Sequence, residues 1–266
     1  MTALLKISGL SKSFGGLRAI NDVDFELDPG EIRGLIGPNG SGKSTFFNLV
    51  SGVYQADAGT VHFDGREITR WEPHDIAAAG VSRTFQLLRM FTEMTVLENV
   101  MIGHHCHVNY GLFASIFNIK RVAAEEKLIR DEMMEILSYI GLADYADVPA
   151  SEMSIGQRRL LAMGRAIAMK PKLLMLDEPA AGLSPVNVDN IMSIMVNLKQ
   201  RYGLTVIVVE HILKVVMDTC DRVTVLDHGQ KIAEGTPQHV RDDHAVIEAY
   251  LGQEMDDEDV RRVIAE

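Results

Sequence analysis

The 266-residue sequence has no apolar run approaching the ~18 residues that a membrane-spanning helix needs. Its most apolar stretch, Leu204 to Val209, is stopped by Glu210 and His211. The opening MTALLKISGLSKSFGG is apolar over too short a stretch for a secretory signal. These absences predict a chain that stays in the cytoplasm. Cysteine is scarce. Cys106 and Cys220 lack metal-ligand spacing, and a reducing compartment disfavours a disulfide, so both read as ordinary small side chains. Basic charge is short too. Against 37 Asp and Glu stand 26 Lys and Arg, a formal net charge of −11, which argues against the basic face of a nucleic-acid binder. No internal repeat, low-complexity linker or long heptad run occurs. What remains, 47% apolar and 24% charged, describes a soluble globular chain, long enough for one large domain or two small ones.

What is present begins with Gly37-Pro38-Asn39-Gly40-Ser41-Gly42-Lys43-Ser44-Thr45. The run fits the phosphate-cradling pattern G-x-x-x-x-G-K-[ST]. Glycines at 37, 40 and 42 let the backbone turn tightly and bring bare N–H groups close to phosphate oxygens. A helix from about Lys43 to Ser51 would aim its positive end at the same anion. Lys43 can reach the β- and γ-phosphates, and the Ser44 hydroxyl can ligate Mg²⁺. The flanks agree: 31–36 reads as a buried strand, and Phe46, Phe47, Leu49 and Val50 as one face of a helix.

The surrounding chain alternates in texture. Residues 1–65 read as strands with turns: Val23, Phe25 and Leu27 alternate with Asp24, Glu26 and Asp28, Pro29-Gly30 turns the chain, and 60–65 looks like a hairpin arm. From Thr95 to about Lys170 helices dominate, with a long amphipathic one over 120–140 stopped by Gly141. After Lys172 the spacing predicts strand 172–177, helix 185–201, strand 204–209, helix 212–219 and strand 222–227. That alternation predicts an α/β fold with a mostly parallel sheet, carrying an inserted helical block. The acidic end from Gln253 reads as a solvated tail.

The strand 173–177 ends in Asp177-Glu178, two carboxylates at the edge where α/β sheets bind ligands. Asp177 is placed to hold Mg²⁺ and Glu178 to orient or deprotonate an attacking water. Upstream, Ser154-Ile-Gly-Gln157 is a capping box ahead of an apolar run, and a capped helix start is also an anion site. Gly156 is unfavourable in a first helical turn by up to about 1 kcal/mol, which close backbone approach to a phosphate would justify.

On these motifs the chain resembles the ATP-binding subunit of an ABC transporter over nearly all of residues 1–252. The carriers are the phosphate loop 37–45, the signature 153–157 and the Asp177-Glu178 strand end. Arg83-Thr-Phe-Gln86 is similar to the family's glutamine loop, Val208-Val-Glu-His211 to its switch histidine, and Phe14 stands where an aromatic ring stacks on adenine. The resemblance implies a P-loop ATPase with an antiparallel N-terminal β arm. It implies a core of residues 1–90 and 171–252 and an inserted helical subdomain over about 91–170, with 253–266 as tail. It further implies a γ-phosphate contact from His211, a Mg²⁺ or water contact from Gln86, and cross-protomer ATP contacts from Ser154, Gly156 and Gln157.

The usual pattern is departed from in three places: Met153 and Ile155 replace leucine and glycine, Ser184 replaces an acidic residue, and Phe14 replaces tyrosine. Ser184-Pro185 also reads as a helix N-cap with proline at the first position. Residues 80–86, 94–100, 178–183 and 246–252 look like the subgroup serving branched-chain amino-acid uptake, whose relatives handle urea or export lipopolysaccharide. Expected partners are permease subunits docking near 87–91, a second ATPase chain (heterodimer rather than homodimer) and, indirectly, a solute-binding protein. The expected place is the cytoplasmic face of the inner membrane. The competing readings are an ABC ATPase for another solute, a non-transport ABC ATPase, and a nucleotide-binding regulator without turnover.

Overall fold

The computed structural model describes residues 2–84, 90–104 and 119–251. Gln86, the segment 87–89, Cys106 and the tail from Gln253 lie outside the described residues. The chain forms two compact units: one contains Met1–Val81 and the chain from Met175 onward, the other Ser82–Leu174.

The first unit begins with an antiparallel sheet of β1 (Leu5–Phe14), β2 (Leu17–Leu27), β4 (Ala58–Phe63) and β5 (Arg66–Glu67), in the order β2-β1-β4-β5. The alternation seen in sequence sets its register. Val23, Phe25 and Leu27 are buried, and β1 pairs Leu5 with Leu27 and Ile7 with Phe25. The hairpin arm starts at Ala58 and turns through Asp64 and Gly65, both at positive φ.

A second sheet has the order β10-β9-β3-β8-β7-β6, the last two strands lying where the two units divide the chain. Its strands are β3 (Ile32–Ile36), β6 (Val81–Arg83), β7 (Leu173–Asp177), β8 (Thr205–Val209), β9 (Arg222–Asp227) and β10 (Gln230–Gly235). β3 runs parallel to both β8 and β9, and β10 closes the edge antiparallel to β9. Strands β3, β7 and β8 are buried at every position, which is why they read as continuous runs rather than alternating ones. The forecast strands after Lys172 start at most one residue later than expected.

Arg33, fully buried in β3, is the exception to an apolar strand. Its guanidinium donates to Glu31 at 2.6 Å, Thr224 at 3.0 Å, Glu234 at 3.1 Å and the Glu26 carbonyl at 2.9 Å, and stands 5.0 Å from the Phe25 ring. A buried charge persists only when so paired, and here the pairing spans both sheets of the unit.

Helix α1 (Lys43–Val50) follows β3, and α2 (Pro73–Ala78) precedes β6. Helix α6 (Pro185–Tyr202) buries Val188, Ile191, Met195 and Leu198 at helical spacing and ends at Gly203, which is left-handed. Ser184 does stand before Pro185, but its side chain makes no capping bond. The Asn187 N–H, one of the two donors a capping hydroxyl would take, goes instead to the Ser184 carbonyl at 2.9 Å. Helices α7 (Leu213–Thr219), α8 (Pro237–Arg241) and α9 (His244–Leu251) complete the unit.

In the second unit lie α3 (Val96–His104), α4 (Ile119–Tyr139) and α5 (Ile155–Ala168). Gly141, at φ +74°, ends the α4 region, and Leu142 donates back to the Leu137 carbonyl at 2.8 Å. Helices α3 and α5 meet closely at Gly103, where an added Cβ would lie 2.2 Å from the Arg165 carbonyl oxygen. No helix among the described residues is long and apolar enough to cross a membrane.

Candidate nucleotide-binding and hydrolysis site

The loop from Gly37 to Gly42 leaves the C-terminal end of β3 and enters α1. Gly37 and Gly42 are demanded by close approach: a Cβ at Gly37 would lie 2.0 Å from the Leu226 carbonyl oxygen, and one at Gly42 would lie 2.5 Å from that of Ala19. Gly40 has open space around it and is set by its φ of +79° alone. The turn after β9 holds the loop from outside, Gly229 donating to the Ser41 carbonyl at 3.0 Å. Pro38 and Ser41 are buried, Asn39, Gly40 and Ser44 exposed, and Thr45 half-buried.

Lys43 is 7% exposed and donates to the Gly37 and Pro38 carbonyls at 2.7 and 2.9 Å. Burial lowers its pKa below the ordinary lysine value, while the charges of Glu178 and Asp177 pull the other way. The loop lysine and the strand-end carboxylates therefore share one electrostatic environment. Asp177 is buried at the end of β7. Glu178, half-buried, sits at φ +49° and lies 2.9 Å from His211 Nε2. His211, at the end of β8, is exposed. Ser44 and Asp177 offer a hydroxyl and a carboxylate, hard oxygen donors suited to Mg²⁺. The described residues hold no group of three or more acidic, His or Cys side chains that would form a cation site unaided.

Phe14 ends β1 and is 43% exposed, its ring edge-on to Tyr54 at 5.2 Å and with Lys12 Nζ 5.5 Å from its centroid. Its ring is a surface platform rather than core. Gln86 is outside the described residues. The signature belongs to the helical unit. Ser154 accepts from the Gln157 N–H at 3.3 Å, and the Gln157 side chain accepts from the Ser154 N–H at 3.0 Å, a full capping box at the start of α5. Ile155 is 67% exposed and Met153 buried. The structure thus brings Lys43, Asp177, Glu178 and His211 together in the α/β unit and presents Ser154, Gly156 and Gln157 on the helical one.

Three residues escaped sequence reasoning. Tyr54 flanks Phe14. The Gly37 backbone hydrogen-bonds the Tyr250 hydroxyl oxygen, and burial pushes that phenol up to about 12. Glu210 is 2% exposed and accepts from the Ala180 N–H at 2.7 Å. Only Glu210 carried a signal, a carboxylate directly after an unbroken apolar strand and directly before His211.

Comparison with known proteins follows the same lines. A family profile described as ABC transporter matches residues 20–181, and one described as branched-chain amino acid ATP-binding cassette transporter matches residues 230–256. The chain is 38% identical over 250 residues to the high-affinity branched-chain amino acid transport ATP-binding protein BraF of Pseudomonas aeruginosa, covering 94% of this chain and 98% of that one. It is 39% identical, with the same coverage, to the corresponding protein LivG of Escherichia coli. Among solved structures it is similar to the ADP conformation of MJ1267, an ATP-binding cassette of an ABC transporter, with a TM-score of 0.82, 36% identity, and coverage of 95% of this chain and 100% of that one. A nucleotide-free ATP-binding cassette from an ABC transporter gives a TM-score of 0.81 at 35% identity, again covering 95% and 100%. With the phosphate loop, the paired carboxylates and this similarity along nearly its whole length, the chain belongs to the ABC transporter family, as one of its nucleotide-binding ATPase cassettes.

Proposed function

We propose that this chain is the ATP-hydrolysing subunit of an importer and that the imported solutes are branched-chain amino acids. The observation that carries the catalytic half is the cluster at the sheet edge: Lys43 in the field of Asp177 and Glu178, with His211 at 2.9 Å from Glu178. The solute is supported by the names of the relatives and by the profile matching residues 230–256.

In this reading the ATP phosphates lie along 37–45, against loop N–H groups and the start of α1. Lys43 exchanges the carbonyls of Gly37 and Pro38 for the β- and γ-phosphates, and its partly desolvated ammonium gains an anionic partner. Ser44, Asp177 and Gln86 would hold Mg²⁺, which would neutralise charge on the phosphates. Glu178 orients the attacking water and accepts its proton. His211 contacts the γ-phosphate and fixes the rotamer of Glu178. Phe14 stacks on adenine with its exposed face. Ser154, Gly156 and Gln157 serve the ATP held by a second ATPase chain, so that ATP joins the two head to tail and hydrolysis releases them. That second chain is a different polypeptide. Residues 1–252 work as one ATPase domain, permease subunits dock beside Gln86 and Phe91, and a solute-binding protein acts through them. The subunit works at the cytoplasmic face of the inner membrane.

The test is purification of the tagged chain from native membranes in mild detergent, with mass spectrometry of what accompanies it. Two permease chains, a second cassette and leucine-stimulated ATPase in the reconstituted assembly are expected. Recovery of ribosomal or DNA-repair proteins would overturn the transport reading, and stimulation by urea instead of leucine would overturn the solute.

A further inference from the structure

We propose that Glu210 is a positioning residue for hydrolysis: its buried carboxylate ties together the two turns that carry Glu178 and His211, and so sets the distance between them. The inference rests on the reading of Glu178 and His211 as the hydrolytic pair.

The geometry is specific. Oε1 of Glu210 accepts from the Ala180 N–H at 2.7 Å, two residues beyond Glu178. Oε2 accepts from the His211 N–H at 3.2 Å, and the Ile212 N–H donates to the same carboxylate. One side chain therefore grips backbone on both sides of the pair. The Glu178 turn is closed by Ala181 donating to the Glu178 carbonyl at 3.3 Å, and the His211 turn by Val215 donating to the Ile212 carbonyl at 3.0 Å. Glu178 needs such restraint. Its φ of +49° lies in the left-handed region, which a residue with a Cβ holds only where its surroundings impose it. Its own N–H reaches across to the Val209 carbonyl at 2.9 Å, the residue before Glu210.

Packing alone does not explain a carboxylate here. At 2% exposure an apolar side chain would fill the space, but three N–H groups would lose their acceptor. Glutamine has one acceptor oxygen and would turn its NH₂ group against N–H donors. Burial raises the Glu210 pKa, the neighbouring Glu178 charge adds to it, and the three N–H donors oppose both. The molecule thus keeps a costly buried acid at a point where one side chain reaches both turns.

The test compares Glu210→Gln, Glu210→Asp, His211→Ala, Glu178→Gln and the double variant Glu210→Gln/His211→Ala in the assembled transporter. Turnover is measured at saturating ATP, and ATP affinity by calorimetry. For Glu210→Gln, turnover should fall about tenfold or more while the ATP Kd stays within about twofold, a split that general unfolding would not give. Glu210→Asp keeps the charge but cannot span both turns, so it should lose turnover to a lesser degree, again at unchanged Kd. The double variant should lose clearly less than the product of the two single losses, because Glu210 acts through the pair. Turnover within about twofold of the parent in Glu210→Gln or Glu210→Asp, or additive losses in the double variant, would overturn the proposal. Full turnover in His211→Ala and Glu178→Gln would instead overturn the hydrolytic pair on which it rests.

Discussion

The two units of the chain hold their candidate site residues differently. In the α/β unit, Ser41, Lys43 and Asp177 are 2%, 7% and 8% exposed and are held by loop backbone and sheet edge. In the helical unit, Ser154 and Ile155 stand exposed at the start of α5, held by one capping box. A buried constellation carries its geometry within one chain, because each group is fixed by packing and by hydrogen bonds it cannot exchange with water. An exposed helix start fixes only its own backbone and waits for a second surface. In the proposed mechanism that surface is the ATP of the partner cassette. The contrast makes a general claim: changes in the α/β unit should alter events on the isolated chain, and changes in the signature should alter only what requires two cassettes.

The largest expected effect comes from Glu178→Gln. Removing a general base costs about 10²–10⁴ in rate, while the loop that holds the phosphates is untouched. ATP should therefore bind as before and hold the cassettes as dimers visible by gel filtration. Parent-level turnover would remove Glu178 from the chemistry. Lys43→Ala comes next. It deletes a charged donor, worth about 1.5–3 kcal/mol per charge-assisted bond, so ATP affinity of the isolated chain should fall by about tenfold or more in calorimetry. Unchanged affinity would sink the phosphate-loop assignment.

Gly37→Ala and Gly40→Ala then separate two reasons for glycine. The first drives a Cβ to 2.0 Å from the Leu226 carbonyl oxygen, so β9 or the loop must move; the second meets open space. Gly40→Ala should cost only the strain of a positive φ, about 1–2 kcal/mol. Gly37→Ala should lower both the melting temperature and the ATP affinity by clearly more. Equal effects would mean that backbone conformation, not close approach, selects glycine in this loop.

Legibility in sequence followed the range of the interactions. The phosphate loop, the strands after Lys172 and the capping box at Ser154 are local patterns, and each was readable within about 15 residues of chain, the span in which helical or strand periodicity is written. Arg33 was not. It occupies a strand read only as buried, and its partners Thr224 and Glu234 lie near the other end of the sequence. Tyr250 on Gly37 and Glu210 on Ala180 are hidden for the same reason: they depend on which helix and strand end up as neighbours, not on any spacing. Ser184 shows the reverse failure. Its local pattern of serine before proline was real, yet the Asn187 N–H that its hydroxyl would cap bonds its carbonyl instead.

Ser154→Ala has the smallest expected effect on the isolated chain and bears most directly on the contrast. It removes the acceptor of the Gln157 N–H, a bond of 3.3 Å, and leaves the Gln157 side chain still bonded to the residue 154 N–H. Loss of a serine cap costs about 1 kcal/mol, so the first turn of α5 should exchange its amide protons about fivefold faster, at the Gln157 amide above all. ATP affinity of the isolated chain should not change, because in the proposed mechanism Ser154 serves the nucleotide of the partner cassette. ATPase of the assembled transporter should fall well beyond what one cap is worth, because the same hydroxyl is then missing from the partner's nucleotide. Should the isolated chain lose ATP affinity instead, the signature would be acting within its own cassette, and the division between a self-contained α/β site and a helix start that waits for a second chain would be wrong.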